Sequence, residues 1–112
     1  MSQYIIYFNQ QWVGEHSEEW FAGRGPLARA VVEQMKDAGV LVFAGGLEEE
    51  IESGLGFDEN GNMGKAITTT GEFIGGLTII NVESDDEANK WAAKIAVACG
   101  WPQELRKFKP SM

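Results

Sequence analysis

The residue best suited to proton transfer near neutral pH is His16, the single histidine of the chain. It follows Glu15 in the segment QWVGEHSEEW, where an imidazole could act as a general acid or base. A histidine in a polar loop is more commonly a solvated side chain than a catalyst. We therefore treat His16 as a candidate catalytic residue with both interpretations open.

Two arginines are candidate ligand-binding residues. Arg24 lies in the segment GRGP just before a predicted helix, where a guanidinium group can hold a carboxylate or a phosphate. The alternative for Arg24 is an exposed turn residue. Arg106 lies in the last predicted strand, where it either pairs with an acidic residue across the sheet or faces a cleft.

The sequence predicts neither a metal site nor a cofactor. One histidine and one cysteine, Cys99, leave no metal-ligand motif and no intramolecular disulfide. The stretch Asp58-Glu59-Asn60 lacks the regular ligand spacing of a calcium loop. The string GGLEEE is not followed by the glycine spacing or the lysine of a phosphate-binding loop.

Length and charge limit the class of protein. The 112 residues fit a single domain, residues 1–112, and the net charge is −8, with nine basic and 17 acidic side chains. No basic cluster is present, so we expect no nucleic acid and no anionic membrane as a partner. No apolar run approaches the ~20 residues of a membrane span, and a cytoplasmic location is expected.

The first half of the sequence predicts a strand, an interrupted helix and a second strand. Residues 4–8 (YIIYF) form a strand that is apolar on both faces. Ser17 is a helix N-cap followed by two glutamates, and GRGP then breaks this helix. A main helix over residues 26–38 ends at the C-cap Gly39 and buries Leu27, Val31, Val32, Met35 and Ala38. The next strand covers residues 40–44.

The second half predicts a hairpin, a strand, a helix and a last strand. The hairpin lies within residues 55–70 around Asn60-Gly61, and the strand covers residues 73–82. Ser84 and Glu87 fit a capping box at the start of the helix, and Gly100 and Pro102 end it. The buried face of this helix is predicted to hold Ala88, Trp91, Ala92, Ile95 and Ala98 or Cys99. The last strand covers residues 104–108.

This element order predicts an α+β fold, a ferredoxin-like βαββαβ sandwich with an inserted hairpin. Two helices would cover one face of an antiparallel sheet. Because the strands are apolar on both sides, the other face must be covered too, and a homodimer packed sheet face to sheet face is the economical solution.

Two glycine pairs interrupt neighbouring strands of this predicted sheet. Gly45-Gly46 ends one strand and Gly75-Gly76 lies inside FIGGLTII, so the antiparallel order would place the pairs side by side. Such a patch without side chains suits a bulge or the close approach of a ligand or a partner subunit. The alternative is that one pair only ends a strand and the other only bends it.

Several segments together resemble the YCII-related (DGPF-domain) family. They are YIIYF, AGVLVFAGGL, the Asn-Gly hairpin, EFIGGLTIINVESDDEANKWAAKI and ELRKF. The resemblance implies a dimeric α/β barrel with a cleft in each subunit. Two features of the family are absent: GKAITTTGEF replaces the Asp-Gly-Pro-Phe motif, and RGPLARA has no helix histidine to pair with an aspartate.

If the resemblance holds, the threonines at 68–70 replace the loop that borders the family's cleft. Their hydroxyls and the Glu72 carboxylate would orient a ligand there, so Glu72 joins His16 as a candidate catalytic residue. Trp12 could wall an aromatic pocket or seal the dimer. The candidate ligand-binding residues are Tyr7, Trp12, Arg24, Gly45, Gly46, Thr70, Phe73, Gly75, Gly76 and Arg106.

Two functions remain open at this point. In the first, a small homodimeric YCII-like protein binds a small, largely apolar or aromatic molecule in its cleft. In the second, it is a cofactor-free enzyme that uses a carboxylate or His16 as acid or base for proton transfer, isomerisation or lyase-type chemistry. The missing helix histidine favours the first.

Overall fold

The fold is built around a central strand, β1 (Ser2–Asn9), in a computed structural model that describes residues 1–50, 54–68 and 73–110. The other strands of its sheet are β2 (Leu41–Gly46), β5 (Ile74–Val82) and β6 (Glu104–Lys107), in the order β2-β5-β1-β6. All three strand pairs are antiparallel. The helices are α1 (Glu18–Asp37) and α2 (Asp85–Cys99), and a short 3₁₀ turn covers Gln10–Trp12. The predicted α+β class is confirmed, and the strand order is compatible with a ferredoxin-like fold.

The predicted hairpin is a separate two-stranded sheet of β3 (Leu55–Phe57) and β4 (Met63–Lys65). Gly61 adopts φ +85° in the turn. The Asp58 carboxylate accepts hydrogen bonds from the backbone amides of Asn60, at 3.0 Å, and Asn62, at 2.9 Å. The hydrogen bond from the Asn62 amide is the main cause that lowers the pKa of Asp58. The loop is therefore longer than a two-residue turn, as the sequence indicated.

Helix α1 runs without interruption through Pro26, so the predicted break at GRGP is wrong. Ser17 is the N-cap, as predicted, and its hydroxyl accepts a hydrogen bond from the Trp20 amide. Proline inside a helix costs about 3 kcal/mol because it removes a hydrogen bond and crowds the preceding turn. Packing at the end of α2 offsets that cost: Phe21 contacts Trp101 with ring centroids 6.1 Å apart, and Trp20 lies against Gly100.

The continuous helix also changes which of its side chains are buried. Val31 and Met35 are buried and Val32 packs against them, but Leu27 is 47% exposed and Ala38 is exposed. The buried stripe is centred near Ala28, and Leu27 lies about 100° around the helix from it. The predicted burial of Leu27 and Ala38 is therefore wrong.

Helix α2 follows the sequence prediction closely. Its N-cap Ser84 accepts a hydrogen bond from the Glu87 amide, while the Glu87 carboxylate accepts one from the Glu83 amide, one residue before the cap. Ala88 and Ile95 are buried, and the other members of the predicted face pack against the core. Gly100 ends the helix in the left-handed conformation. Among the described residues, no helix has the length and apolar character needed to cross a membrane.

The hydrophobic core lies between the helices and one face of the sheet, here called the inner face. Tyr4 and Ile6 of β1 and Ile80 and Val82 of β5 are buried there with Val31, Met35, Val40, Ala88 and Ile95. Residues of the opposite, outer face alternate with these along the strands. Ile5 and Ile79 of the outer face are only half-buried, and Phe43 is 56% exposed. The sequence predicted that both faces of the sheet are covered. Within one chain, the helices cover the inner face, and the outer face stays partly exposed.

The glycine pairs meet where the sequence placed them, and a β-bulge occurs there. Gly46 pairs with Gly76, and the register of β1 against β5 shifts so that Gly75 has no partner on β1. The Phe8 ring occupies the space in front of both glycines. A Cβ on Gly75 would lie 2.6 Å from Phe8 Cε2, and one on Gly76 would lie 2.9 Å from Phe8 Cε1. The group that approaches the glycines is therefore an aromatic ring of the same chain.

We expect Gly76→Ala to lower the free energy of unfolding by about 1–3 kcal/mol, because the added methyl group collides with Phe8 and with the Gly45 carbonyl, 3.1 Å away. Gly23→Ala in α1 is the matched control, since a Cβ there meets nothing within 4 Å. That change should raise stability by about 0.5–1 kcal/mol. Urea unfolding followed by circular dichroism measures both. Equal stability of the Gly76 variant and the wild type would contradict the assignment.

Candidate functional site

A cavity of about 450 Å³ lies between α1, α2 and the inner face of the sheet, near the glycine pairs. Its apolar walls come from both helices, from three strands and from the segment after α2. They are Phe8, Ala28, Val32, Ala44, Leu77, Ile95 and Trp101. We call this space the helix–sheet cavity.

Phe8 and Trp101 form an aromatic wall of the cavity. Their ring centroids are 4.7 Å apart with the planes tilted by 45°. The Trp101 indole Nε1 donates a hydrogen bond of 2.8 Å to the Asn9 carbonyl, and Phe8 lies against Gly75 and Gly76. Both rings are therefore fixed from behind by the backbone of the sheet, and the wall is formed before any ligand arrives.

The polar groups of the cavity are Arg24 and Arg29 from α1 together with Thr78, Cys99 and Gln103. The Arg24 guanidinium lies over the Trp20 ring, 4.7 Å from its centroid. Arg29 Nη1 lies 3.3 Å from the point that a Cβ on Gly25 would occupy, so the glycine leaves room for this side chain. Thr78 is 7% exposed. No acidic side chain is among the described lining residues.

Burial raises the pKa of the Cys99 thiol, and the positive charge of Arg24 acts in the opposite direction. Cys99 is thus a neutral thiol near pH 7. Within residues 1–50, 54–68 and 73–110, no group of three or more His, Cys, Asp or Glu side chains could hold a metal ion.

A comparison with protein families gives a match over most of the chain. The model of the YCII-related domain matches residues 15–99, which is most of the chain. The chain belongs to the YCII-related family. No curated protein matches the sequence. Strands β1 and β6 lie outside the matched stretch, yet both belong to the same sheet as β2 and β5.

In this YCII-related domain, three of the predicted ligand-binding residues line the helix–sheet cavity: Arg24, Gly45 and Gly46. Gly75 and Gly76 lie behind the Phe8 ring instead of on the cavity surface. Phe73 lines a second hollow, of about 730 Å³, beside the β3–β4 hairpin. Thr70 and Glu72 lie outside the described residues.

Tyr7, Trp12 and Arg106 group together away from the helix–sheet cavity. Arg106 Nε donates to the Tyr7 hydroxyl at 3.1 Å, and the Tyr7 and Trp12 ring centroids are 6.3 Å apart. The Tyr7 hydroxyl also donates a hydrogen bond to the Glu104 carboxylate, and Arg106 Nε lies 3.3 Å from the same carboxylate. Both contacts lower the pKa of Glu104. Arg106 therefore pairs with an acidic residue, but that residue belongs to its own strand.

His16 is exposed and does not line the cavity. Its ring stacks on Trp20 with centroids 3.5 Å apart, and its Nε2 lies 3.1 Å from the Val13 carbonyl oxygen. Trp20 thus connects His16 to Arg24, which stacks on the same indole. His16 therefore packs against the beginning of α1, the part of the helix that carries Trp20 and Arg24.

Sequence reasoning missed Phe8, Arg29, Thr78 and Trp101 as cavity residues. The sequence contained a signal for Arg29, because this residue lies four positions after Gly25 and residues at that spacing share a helix face. For Cys99, which also lines the cavity, there was a signal too, since the buried face of α2 was predicted to hold Ala98 or Cys99. The sequence contained no such signal for Phe8, because the position of its ring depends on a bulge that forms only when β1 pairs with β5.

We expect the rate of Cys99 alkylation by iodoacetamide to rise with a pH midpoint above the usual value of 9.0 for a thiol. Arg24→Met should move that midpoint higher still, because it removes the charge that stabilises the thiolate. Lys90→Met on the exposed side of α2 is the matched control and should leave the midpoint unchanged. A midpoint that stays the same or falls in the Arg24 variant would show that Arg24 does not act on Cys99.

Proposed function

We propose that this protein binds a small, largely apolar or aromatic molecule in the helix–sheet cavity. The observation that carries the proposal is the aromatic wall of Phe8 and Trp101, which the glycine bulge and the indole hydrogen bond hold in place. Mostly apolar walls with a few convergent polar groups are typical of ligand sites, which commonly measure about 300–1,000 Å³. The cavity, at about 450 Å³, suits a ligand of one or two rings.

The same cavity supports binding better than acid–base catalysis. Its described lining contains no histidine and no carboxylate, and its thiol is neutral because burial raises the pKa of Cys99. His16 lies outside the cavity and is held by Trp20. Nothing among these lining residues would accept a proton near neutral pH, so we propose a binding protein.

N-phenyl-1-naphthylamine, a neutral dye that fluoresces in apolar sites, provides a direct test. Ala28→Phe should weaken its binding about tenfold or more, because a ring on this lining residue fills the cavity. Ala30→Phe is the matched control: Ala30 lies on the same helix, is exposed and does not line the cavity. Equal dye affinity in the two variants, with both folded by circular dichroism, would refute the assignment of the cavity.

We also propose that two copies pack through their outer sheet faces to give a homodimer in the manner of a dimeric α/β barrel. The support is the apolar content of this face, where Ile5 and Ile79 are half-buried and Phe43 is exposed in a single chain. The chain is also flat, measuring 42 × 41 × 18 Å. A second sheet would remove the apolar face from water, and stable interfaces bury about 1,200–2,000 Å² in total.

Light scattering after size exclusion measures this directly. Ile79→Glu should convert the dimer to a monomer, because it would bury an unpaired carboxylate between the two sheets. Val97→Glu, on a residue of α2 that is 79% exposed, adds the same charge and should remain dimeric. A monomeric wild type would overturn the dimer while leaving the cavity assignment intact. The absence of nucleic-acid and membrane partners, and the cytoplasmic location, stay predictions from the sequence.

A further inference from the structure

The helix–sheet cavity has an unbalanced charge. Arg24 and Arg29 both line it, and no described lining residue is acidic. They are two of only three arginines in a chain whose net charge is −8. We propose that the ligand is a small apolar or aromatic carboxylic acid, whose carboxylate is held by Arg24 and Arg29. This inference rests on the proposed binding function and names the chemical class of the ligand.

Arg24 has an unsatisfied hydrogen-bond donor. Its Nε is buried and has no hydrogen-bond partner among the described residues. A buried charged donor without a partner is unfavourable, so turning this edge of the guanidinium toward a carboxylate in the cavity would be favourable. The Trp20 ring under the guanidinium keeps its plane oriented through a cation–π contact. The Nε edge of a guanidinium meets a carboxylate through two parallel hydrogen bonds.

Arg29 supplies a second positive charge at the cavity. Its guanidinium folds back over Gly25, where a side chain at that position would stand in its way. Within the described part of the chain, neither Arg29 nor Arg24 forms a salt bridge, whereas Arg106 and Lys107 do. Two positive groups at one cavity repel each other, and an anion between them removes that repulsion.

The rest of the cavity specifies the other end of the ligand. Phe8, Trp101, Leu77 and Ile95 offer no ionic partner, so they suit an apolar or aromatic body. The polar groups beside them are the neutral Cys99 thiol, Thr78 and Gln103. One charged end and one apolar end together fit a monocarboxylate better than a phosphate ester or a sugar acid, whose remaining polar groups would lie unpaired against these walls.

A matched pair of probes tests the inference: 2-naphthoate, an acid, and 2-naphthalenemethanol, its neutral counterpart, titrated calorimetrically into the full chain. Wild type should bind the acid about tenfold or more tightly than the alcohol. Arg24→Gln and Arg29→Gln should each weaken acid binding about tenfold and change alcohol binding by less than about twofold. Lys90→Gln removes one positive charge from the exposed side of α2 and should change neither. Added salt should weaken binding of the acid alone.

The outcomes separate this inference from the proposed function. If the alcohol binds as tightly as the acid, the cavity binds neutral ligands and the arginine assignment is wrong. If the glutamine variants weaken both probes equally, the arginines only support the wall. If neither probe binds wild type, the proposed function fails and this inference with it. Should Arg24→Gln not fold, Arg24→Lys keeps the charge without the Nε edge, and full retention of acid affinity in that variant would also overturn the assignment.

Discussion

The packing of the Phe8 ring against Gly75 and Gly76 is the contact on which both the sheet and the cavity depend. The ring needs two adjacent residues without side chains, and the bulge in β5 turns both of them toward it. Gly46 pairs with Gly76 on the other side, so β2, β5 and β1 come together at this point. Phe8 then meets Trp101, and the two rings become a wall of the helix–sheet cavity. A local weakness of one strand thereby provides the rigid side of a candidate binding site.

The two faces of the sheet carry different chemistry. The inner face holds the core and continues, beyond Ile6 and Ile80, into the cavity that α1 and α2 close. The outer face combines half-buried Ile5 and Ile79 with the network of Tyr7, Glu104 and Arg106. At the far end of the inner face, the Tyr4 hydroxyl donates to Asp85, and Lys107 lies 3.4 Å from the same carboxylate. These contacts lower the pKa of Asp85 and join β1, α2 and β6.

Local sequence signals predicted most elements because their physics is local. Ser17 and Ser84 cap helices with their own hydroxyls, Gly100 ends α2 with a positive φ, and Asn60-Gly61 turns the hairpin. Pro26 shows where local rules fail. Proline destabilises an isolated helix. In the folded chain, the contacts of Trp20 and Phe21 with the end of α2 offset that cost, and α1 stays continuous.

The sequence by itself determined the α+β class, the family, the neighbouring positions of the two glycine pairs and the candidacy of Arg24. Hydrophobic periodicity, helix caps and glycine turns depend on residues that are close along the chain, so the sequence alone predicts them. Tertiary structure alone decided that Phe8 fills the space before Gly75 and Gly76, that Arg29 joins Arg24 at one cavity, and that Tyr7 and Arg106 lie together elsewhere. Those placements depend on strand register and on which helix face packs against the sheet, and both are set by contacts between residues distant in sequence.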